Sequence, residues 1–449
     1  MALKQAKAVA ALAAAGQIIN TSLCELNEGW GWLALVETAA GTRLAWAVGN
    51  EEAPLGRMFA AESTLEAEGV AVKVMALNAN NAAVVRRFVK WAAPSACGTK
   101  GTSIGFSDWL GAADAAVVEL FAKRQLKPVL VDYTPEDSQA LKRNFLEAVD
   151  TATWGVLKAG YKEGYGAIAA GLKSEEDIVK ALLYGYSMVG LDCSEKIDLA
   201  IEKLSDKAVE ERFNQFNDEF KKALEASYLN AEFKVNNNSI SFTAPELRRI
   251  VLEYGEAIMH VQFLYNSYLK STPWDIDFEL SLSKPGKVMT PQEHYLVANE
   301  LQRNGIKLAA ICIDPLEDQE AVASNLQIHC DIADTFGYRL SIKNADLAVA
   351  DPSAAMKGTK GKLHLKLNNV LWLAAVELLA VEAPDLYKQV LEAAGVEAQD
   401  SKGIALSYTK VLNPEAGELA AKVKEQVLVH KEAYAALAVA KAGMYMKQL

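Results

Sequence analysis

The chain has 449 residues, enough for one large domain with additions or for two to three domains, since single cores stop growing at roughly 250–300 residues. Half of it is hydrophobic (51%), with 23% charged and 8% aromatic residues, which is the make-up of an ordered globular protein rather than a disordered one. The formal net charge of −11 disfavours a phosphate-backbone partner, and no run of apolar residues is long enough to span a bilayer, so neither nucleic acid nor membrane is an expected partner.

The first sixteen residues carry Lys4 and Lys7 ahead of an alanine-rich stretch. Alanine is weakly hydrophobic and strongly helix-forming, so a surface helix is expected here rather than a secretory leader. Trp30–Glu37 and Thr42–Val48 flank Ala39-Ala40-Gly41 and read as a hairpin, Val70–Leu77 as a strand and Asn80–Trp91 as a helix. Arg86, Arg87 and Lys90 are read as the solvated face of that helix. Residues 1–95 thus form a small α/β module. The five cysteines, Cys24, Cys97, Cys193, Cys312 and Cys330, are widely spaced without a CxxC pair. They read as buried, reduced thiols of a cytoplasmic protein.

From Cys97 onward strand and helix alternate. Gly98-Thr-Lys-Gly-Thr-Ser-Ile-Gly105 reads as a turn whose backbone N–H groups, with Lys100, Thr102 and Ser103, can cradle an anion. Buried strands are expected at Pro128–Tyr133, Ser187–Asp192, Ile276–Ser283, Lys307–Asp314, Tyr338–Lys343 and Lys362–Lys366. Helices are expected over Asp137–Leu172, Asp206–Leu229, Pro245–Leu269, Pro291–Arg303, Gln319–Phe336 and Asn369–Leu379, and in the tail from Pro414 onward. Six to eight such units suit a (β/α)₈ TIM-like barrel over 96–385, with the N-terminal module before it and a C-terminal helical extension over 386–449. A doubly wound open sheet is the alternative. Against it, no GxGxxG follows a strand and no GxxxxGK[ST] occurs.

Active sites of such barrels form at the C-terminal ends of the strands. Those ends carry Asp132, Asp192, Glu279 with Ser281 and Ser283, Asp314, Lys343, and His364 with Lys366. Carboxylates that accept from hydroxyls, beside lysines that pair with a carboxylate, suit a carboxylated, polyhydroxylated small molecule. Histidines are few. His364 shares a strand face with Lys366 and is the one candidate metal ligand. His294 and His329 lie on expected helices and are given structural roles.

The string DTATWGVLKAGYKEGYG at Asp150–Gly166 resembles a stretch of the tagaturonate epimerase family. EYGEAIMHVQFLY (Glu253–Tyr265), DIDFELSLS (Asp275–Ser283), IHCDIADTFGYRLSIK (Ile328–Lys343) and LHLK (Leu363–Lys366) follow in the family's order. The resemblance spans about residues 96–385. It implies a metal-dependent barrel enzyme that interconverts tagaturonate and fructuronate, with a divalent cation (Zn, Mn, Ni or Co) polarising substrate oxygens. On that reading Glu279, Asp192, Lys343 and Lys366 carry the chemistry, Lys100, Thr102, Ser103, Asp132, Ser281 and Asp314 hold a sugar acid, and the protein can be a homo-oligomer. The resemblance also implies departures. Ala167–Lys173 stands where the family has acids and a histidine, Ser283-Lys284 where it has a further acid, and Lys343 where it has a histidine ligand. A second expectation is therefore a relative that binds a sugar acid or a partner without metal or turnover. A third is Schiff-base chemistry at Lys343 or Lys366, which requires a lowered lysine pKa.

Overall fold

Eight parallel strands close on themselves: β1 (Thr102–Phe106), β2 (Leu126–Tyr133), β3 (Gly166–Leu172), β4 (Met188–Asp192), β5 (Asp277–Ser281), β6 (Ala310–Ile313), β7 (Arg339–Ile342) and β8 (Leu363–Leu367). Each pairs with its neighbours in chain order, and β8 returns to β1. The computed structural model describes residues 3–122, 124–316, 318–348 and 362–447. The expected (β/α)₈ architecture is the one found, with helices such as Pro291–Arg303 and Gln319–Phe336 packed outside. None of the described helices is long and apolar enough to cross a membrane.

Six strands coincide with the apolar runs read from the sequence, and two do not. β1, TSIGF, was expected to be an anion-binding turn, and β3, GAIAAGL, to be the end of a helix and a loop. Glycine and alanine carry little β-propensity and the glycines punctuate both runs, which is why neither reads as a strand. What decides them is the barrel lumen. A Cβ on Gly105 would stand 3.3 Å from His364 Cε1 and 3.5 Å from Asp132 Oδ2, and one on Gly166 would stand 2.8 Å from Cys97 Sγ. Small residues on these strands make room for large polar side chains from the facing ones. The segment Ala167–Lys173 is therefore mostly strand, with Ile168 and Ala170 packed beside Val129, Met188 and Ala310. A register shift between Val129 and Val131 lets both Val129 and Asp132 face inward. The stretch Asp206–Leu229 is likewise two helices, Asp206–Phe213 and Asp218–Tyr228, the second capped by Asn217.

The N-terminal module is an antiparallel sheet built on the expected hairpin, Gly31–Thr38 with Gly41–Val48. Helix Gln5–Ala13 buries Ala8, Ala11 and Leu12 on one face of the sheet. Helix Ala79–Phe88 covers the other, and Trp154 and Leu157 of the barrel helix Phe145–Ala159 enter the same core. Arg86 is not solvated as expected. Its guanidinium lies 2.6 Å from Asp150 and donates to Thr153. The family-like string Asp150–Gly166 is thus a seam between module and barrel. Gly160 ends its helix at φ +66°, where a Cβ would stand 2.2 Å from the Thr21 carbonyl oxygen. Tyr165 Oη donates to the Ala92 carbonyl at 3.0 Å. All five cysteines are buried and free, as read.

His294 and His329 pack in the core between helices. Their Nδ1 atoms are 2.9 Å apart, and Tyr338 Oη lies 2.7 Å from His294 Nε2. Burial holds both imidazoles neutral, His294 well below the ordinary histidine value and His329 at about 4. The unfolded chain takes up these protons near pH 6.5, so the native state loses stability as pH falls from there, and for His329 the loss levels off near pH 4. Its share is on the order of 3 kcal/mol. Asp346, pushed up to about 6 by burial, works in the opposite direction over the same window. Urea unfolding of wild type against His329→Gln isolates the histidine share. The wild-type advantage is expected to shrink between pH 6.5 and 4, and parallel profiles would refute this.

Candidate active site

Strand parity places one ladder of side chains in the lumen, from the bottom (N-terminal strand ends) to the mouth (C-terminal ends). At the bottom, the fully buried Arg339 guanidinium donates to the carbonyls of Cys97, Lys100 and Gly101 and to Ser103 Oγ at 3.0–3.2 Å. Asp277 accepts from the N–H groups of Cys97 (2.7 Å) and Gly98 (2.9 Å). The glycine-rich segment does cradle an anion, but that anion is the protein's own Asp277. Lys100, Thr102 and Ser103 accordingly lie at the lower end of β1 and do not line the mouth, which corrects their expected role in substrate binding.

Above them, His364 Nδ1 lies 2.8 Å from Ser103 Oγ, and its Nε2 has no hydrogen-bond partner among the described residues. Burial, then the positive charges of Lys366 and Arg339, hold the imidazole neutral. One turn of the pleat higher on β8, Lys366 Nζ lies 2.6 Å from Glu279 Oε1 and 3.8 Å from Asp132. All three are buried. Burial alone would lower the Lys366 pKa, but Asp132 and Glu279 outweigh it and hold the group above the ordinary lysine value. Glu279 Oε2 has no hydrogen-bond partner among the described residues.

A cavity of about 320 Å³ opens over this layer. Asp132, Asp192, Glu279, Ser281, Lys343 and Lys366 line it, so six of the eleven expected site residues converge there. Asp314 stands behind Lys343, 3.6 Å from its ammonium. Three asparagines went unread in the sequence although they directly follow β7 and β8. Asn368 donates to Asp132 (3.1 Å), and Asn344 and Asn369 are hydrogen-bonded to each other. The C-terminal extension supplies a wall that no local pattern announces. Tyr408 stacks on Trp109 with centroids 3.4 Å apart and donates to Asp137 at 2.6 Å, and Leu406 and Thr409 also border the cavity. A larger cavity of about 750 Å³ lies at the lower end, beside Tyr161–Tyr165. Of its cations, Arg124 donates to the Met446 carbonyl, Lys127 to that of Cys97, and Lys162 lies over the Trp91 ring. The mouth is the better site.

The mouth fits a polyhydroxylated acid. Its carboxylates and asparagines can hold hydroxyls, and Lys343, half exposed and loosely paired, can meet a carboxylate. Schiff-base chemistry does not fit. Burial would lower the Lys343 pKa, but Asp314 and Cys312 outweigh it, so both mouth lysines are held above the ordinary value. A divalent cation does not fit the described residues either. No three His, Cys, Asp or Glu side chains among them are grouped as donors. Ala170 and Gly171 offer no ligand atoms, His364 is tied to Ser103 below the cavity, and ammonium groups stand beside Glu279 and Asp314.

The model of the family described as tagaturonate epimerase matches residues 26–430. The tagaturonate/fructuronate epimerase of Thermotoga maritima is 29% identical over 354 residues, 76% of this chain and 72% of that protein. A glycerol-complexed crystal structure of the fructuronate-tagaturonate epimerase UxaE from Cohnella laeviribosi aligns with a TM-score of 0.86 at 25% identity, over 98% of this chain and 97% of that one. The native crystal structure of the same enzyme aligns at 0.83, with 25% identity and 97% of each chain. The chain, barrel and flanking parts together, belongs to the tagaturonate epimerase family.

Proposed function

We propose that this protein acts on a hexuronate-type keto sugar acid, interconverting tagaturonate and fructuronate at the barrel mouth. The observation that carries the reading is the buried Glu279–Lys366 pair at the base of a cavity of suitable size, in a chain of this family. Inverting a carbinol carbon requires a proton to be taken up and returned. Glu279 keeps one oxygen, Oε2, without a partner and is a candidate acceptor. Lys366 holds that carboxylate in place through a hydrogen bond of 2.6 Å. Asp192, on the neighbouring strand β4, lines the same cavity and is a candidate for a second proton-transfer group. Lys343 orients the substrate carboxylate, and Ser281 and the asparagines hold hydroxyls.

One observation favours a second reading, a relative that binds the sugar acid without turning it over. Ala170 and Gly171 stand on the cavity wall without side-chain donors, and proton transfer is left to few groups. ¹H NMR of tagaturonate incubated with the full-length protein, with and without added Mn²⁺, separates the two. The first reading expects fructuronate signals to grow in. Unchanged tagaturonate, with binding measured by calorimetry, selects the second.

A further inference from the structure

The two cations of the mouth are unequal. Lys366 is buried and committed to Glu279 at 2.6 Å. Lys343 enters from the adjacent strand end with half its side chain exposed, and its single ion-pair partner among the described residues, Asp314, lies 3.6 Å away, beyond a good hydrogen bond. Asp314 has other partners: its Oδ1 accepts from Leu316 N at 3.0 Å, and Asn344 Nδ2 lies 3.3 Å from Oδ2. The Lys343 ammonium is thus only loosely paired and still has donors to give. We infer that Lys343 is the resident cation of this cavity, receiving the carboxylate of a sugar acid directly, so that the ligand is bound with no divalent ion. This rests on the reading of the mouth as a hexuronate site.

Three features converge on it. Charge comes first: an ion seated among Glu279, Cys312 and Asp314 would sit beside two ammonium groups, which repel it. Donor geometry is the second. The wall that β3 presents is Ala170 and Gly171, so no set of three ligands closes among the described residues. Ligand class is the third. Asp132, Asp192 and Glu279 surround the rest of the cavity. That field rejects a polyanion such as a phosphate ester but accepts one carboxylate carried on a chain of hydroxyls, which the acidic side chains bind as donors.

Full-length protein is dialysed against EDTA and used in two titrations. Mn²⁺ alone is followed by electron paramagnetic resonance, in wild type and Glu279→Gln. The expected result is no stoichiometric site that Glu279→Gln removes, and such a site would overturn the inference. Fructuronate is titrated calorimetrically in EDTA into wild type, Lys343→Gln and Lys343→Arg. Wild type is expected to bind. Lys343→Gln should weaken binding roughly tenfold or more, and Lys343→Arg should keep it within a few-fold. Lys343 is half exposed, so both variants should melt with wild type. Binding that needs Mn²⁺, or that is unchanged in Lys343→Gln, overturns the inference alone. No binding with or without Mn²⁺ overturns the hexuronate reading itself, and the inference falls with it.

Discussion

Lys366→Met is expected to lower the unfolding free energy by about 3–5 kcal/mol and to abolish fructuronate binding. The reason is the charge left behind. Glu279 and Asp132 are buried in the lumen, and Lys366 is the cation within 4 Å of both. Methionine fills much of the volume but leaves two carboxylates without their counter-ion. The deficit should shrink as pH falls. A carboxylate stripped of its partner binds its proton more readily folded than unfolded, so acid relieves the native state. Neutralising the partner as well, in Lys366→Met/Glu279→Gln, should recover part of the loss. Urea unfolding of the wild type, both single variants and the double variant measures this coupling. Strict additivity would mean that the pair does not interact, despite the 2.6 Å contact.

Lys284→Met is expected to be as damaging to stability, also by about 3–5 kcal/mol, and harmless to ligand binding. Lys284 lies 2.5 Å from Glu293, 2.8 Å from Glu253 and 3.3 Å from Glu202, with Glu253 and Glu293 themselves buried. Burial would lower its pKa, but Glu293 and Glu253 outweigh that and keep it charged. Removing it sets two buried carboxylates against each other where helices Ala244–Leu264 and Pro291–Arg303 approach the end of β5. This cluster borders a separate cavity and contributes nothing to the mouth lining. Thermal melting with and without fructuronate tests both halves. The variant should melt well below wild type yet gain the same ligand-induced shift. A lost shift would place Lys284 in the site. Lys284 thus serves the fold, joined to a group of glutamates.

The two lysines show what a linear pattern conveys. Both follow the same apolar-strand logic, and only the fold sends Lys366 up into the lumen and Lys284 outward among helix carboxylates. Lys343 has the opposite character. It stands at the cavity, where it changes which ions the mouth can take.

By itself the sequence determined the barrel class, six of its eight strands and the hairpin of the N-terminal module, because continuous buried strands and long amphipathic helices leave periodic apolar runs, while the family showed in the order of a few short strings such as Asp150–Gly166. It also determined that acids and lysines gather at strand ends, and five of those residues, with Ser281, do line one cavity. Tertiary structure decided the rest. β1 and β3 are strands because the lumen needs small residues opposite His364, Asp132 and Cys97, a demand made by facing strands far away in the chain. The anion of the glycine-rich segment is Asp277, 179 residues from Gly98. The wall of the mouth comes from Tyr408, in an extension whose local pattern says only helix. Ion pairing and cavity walls are properties of approach in space, and residue order does not encode them locally.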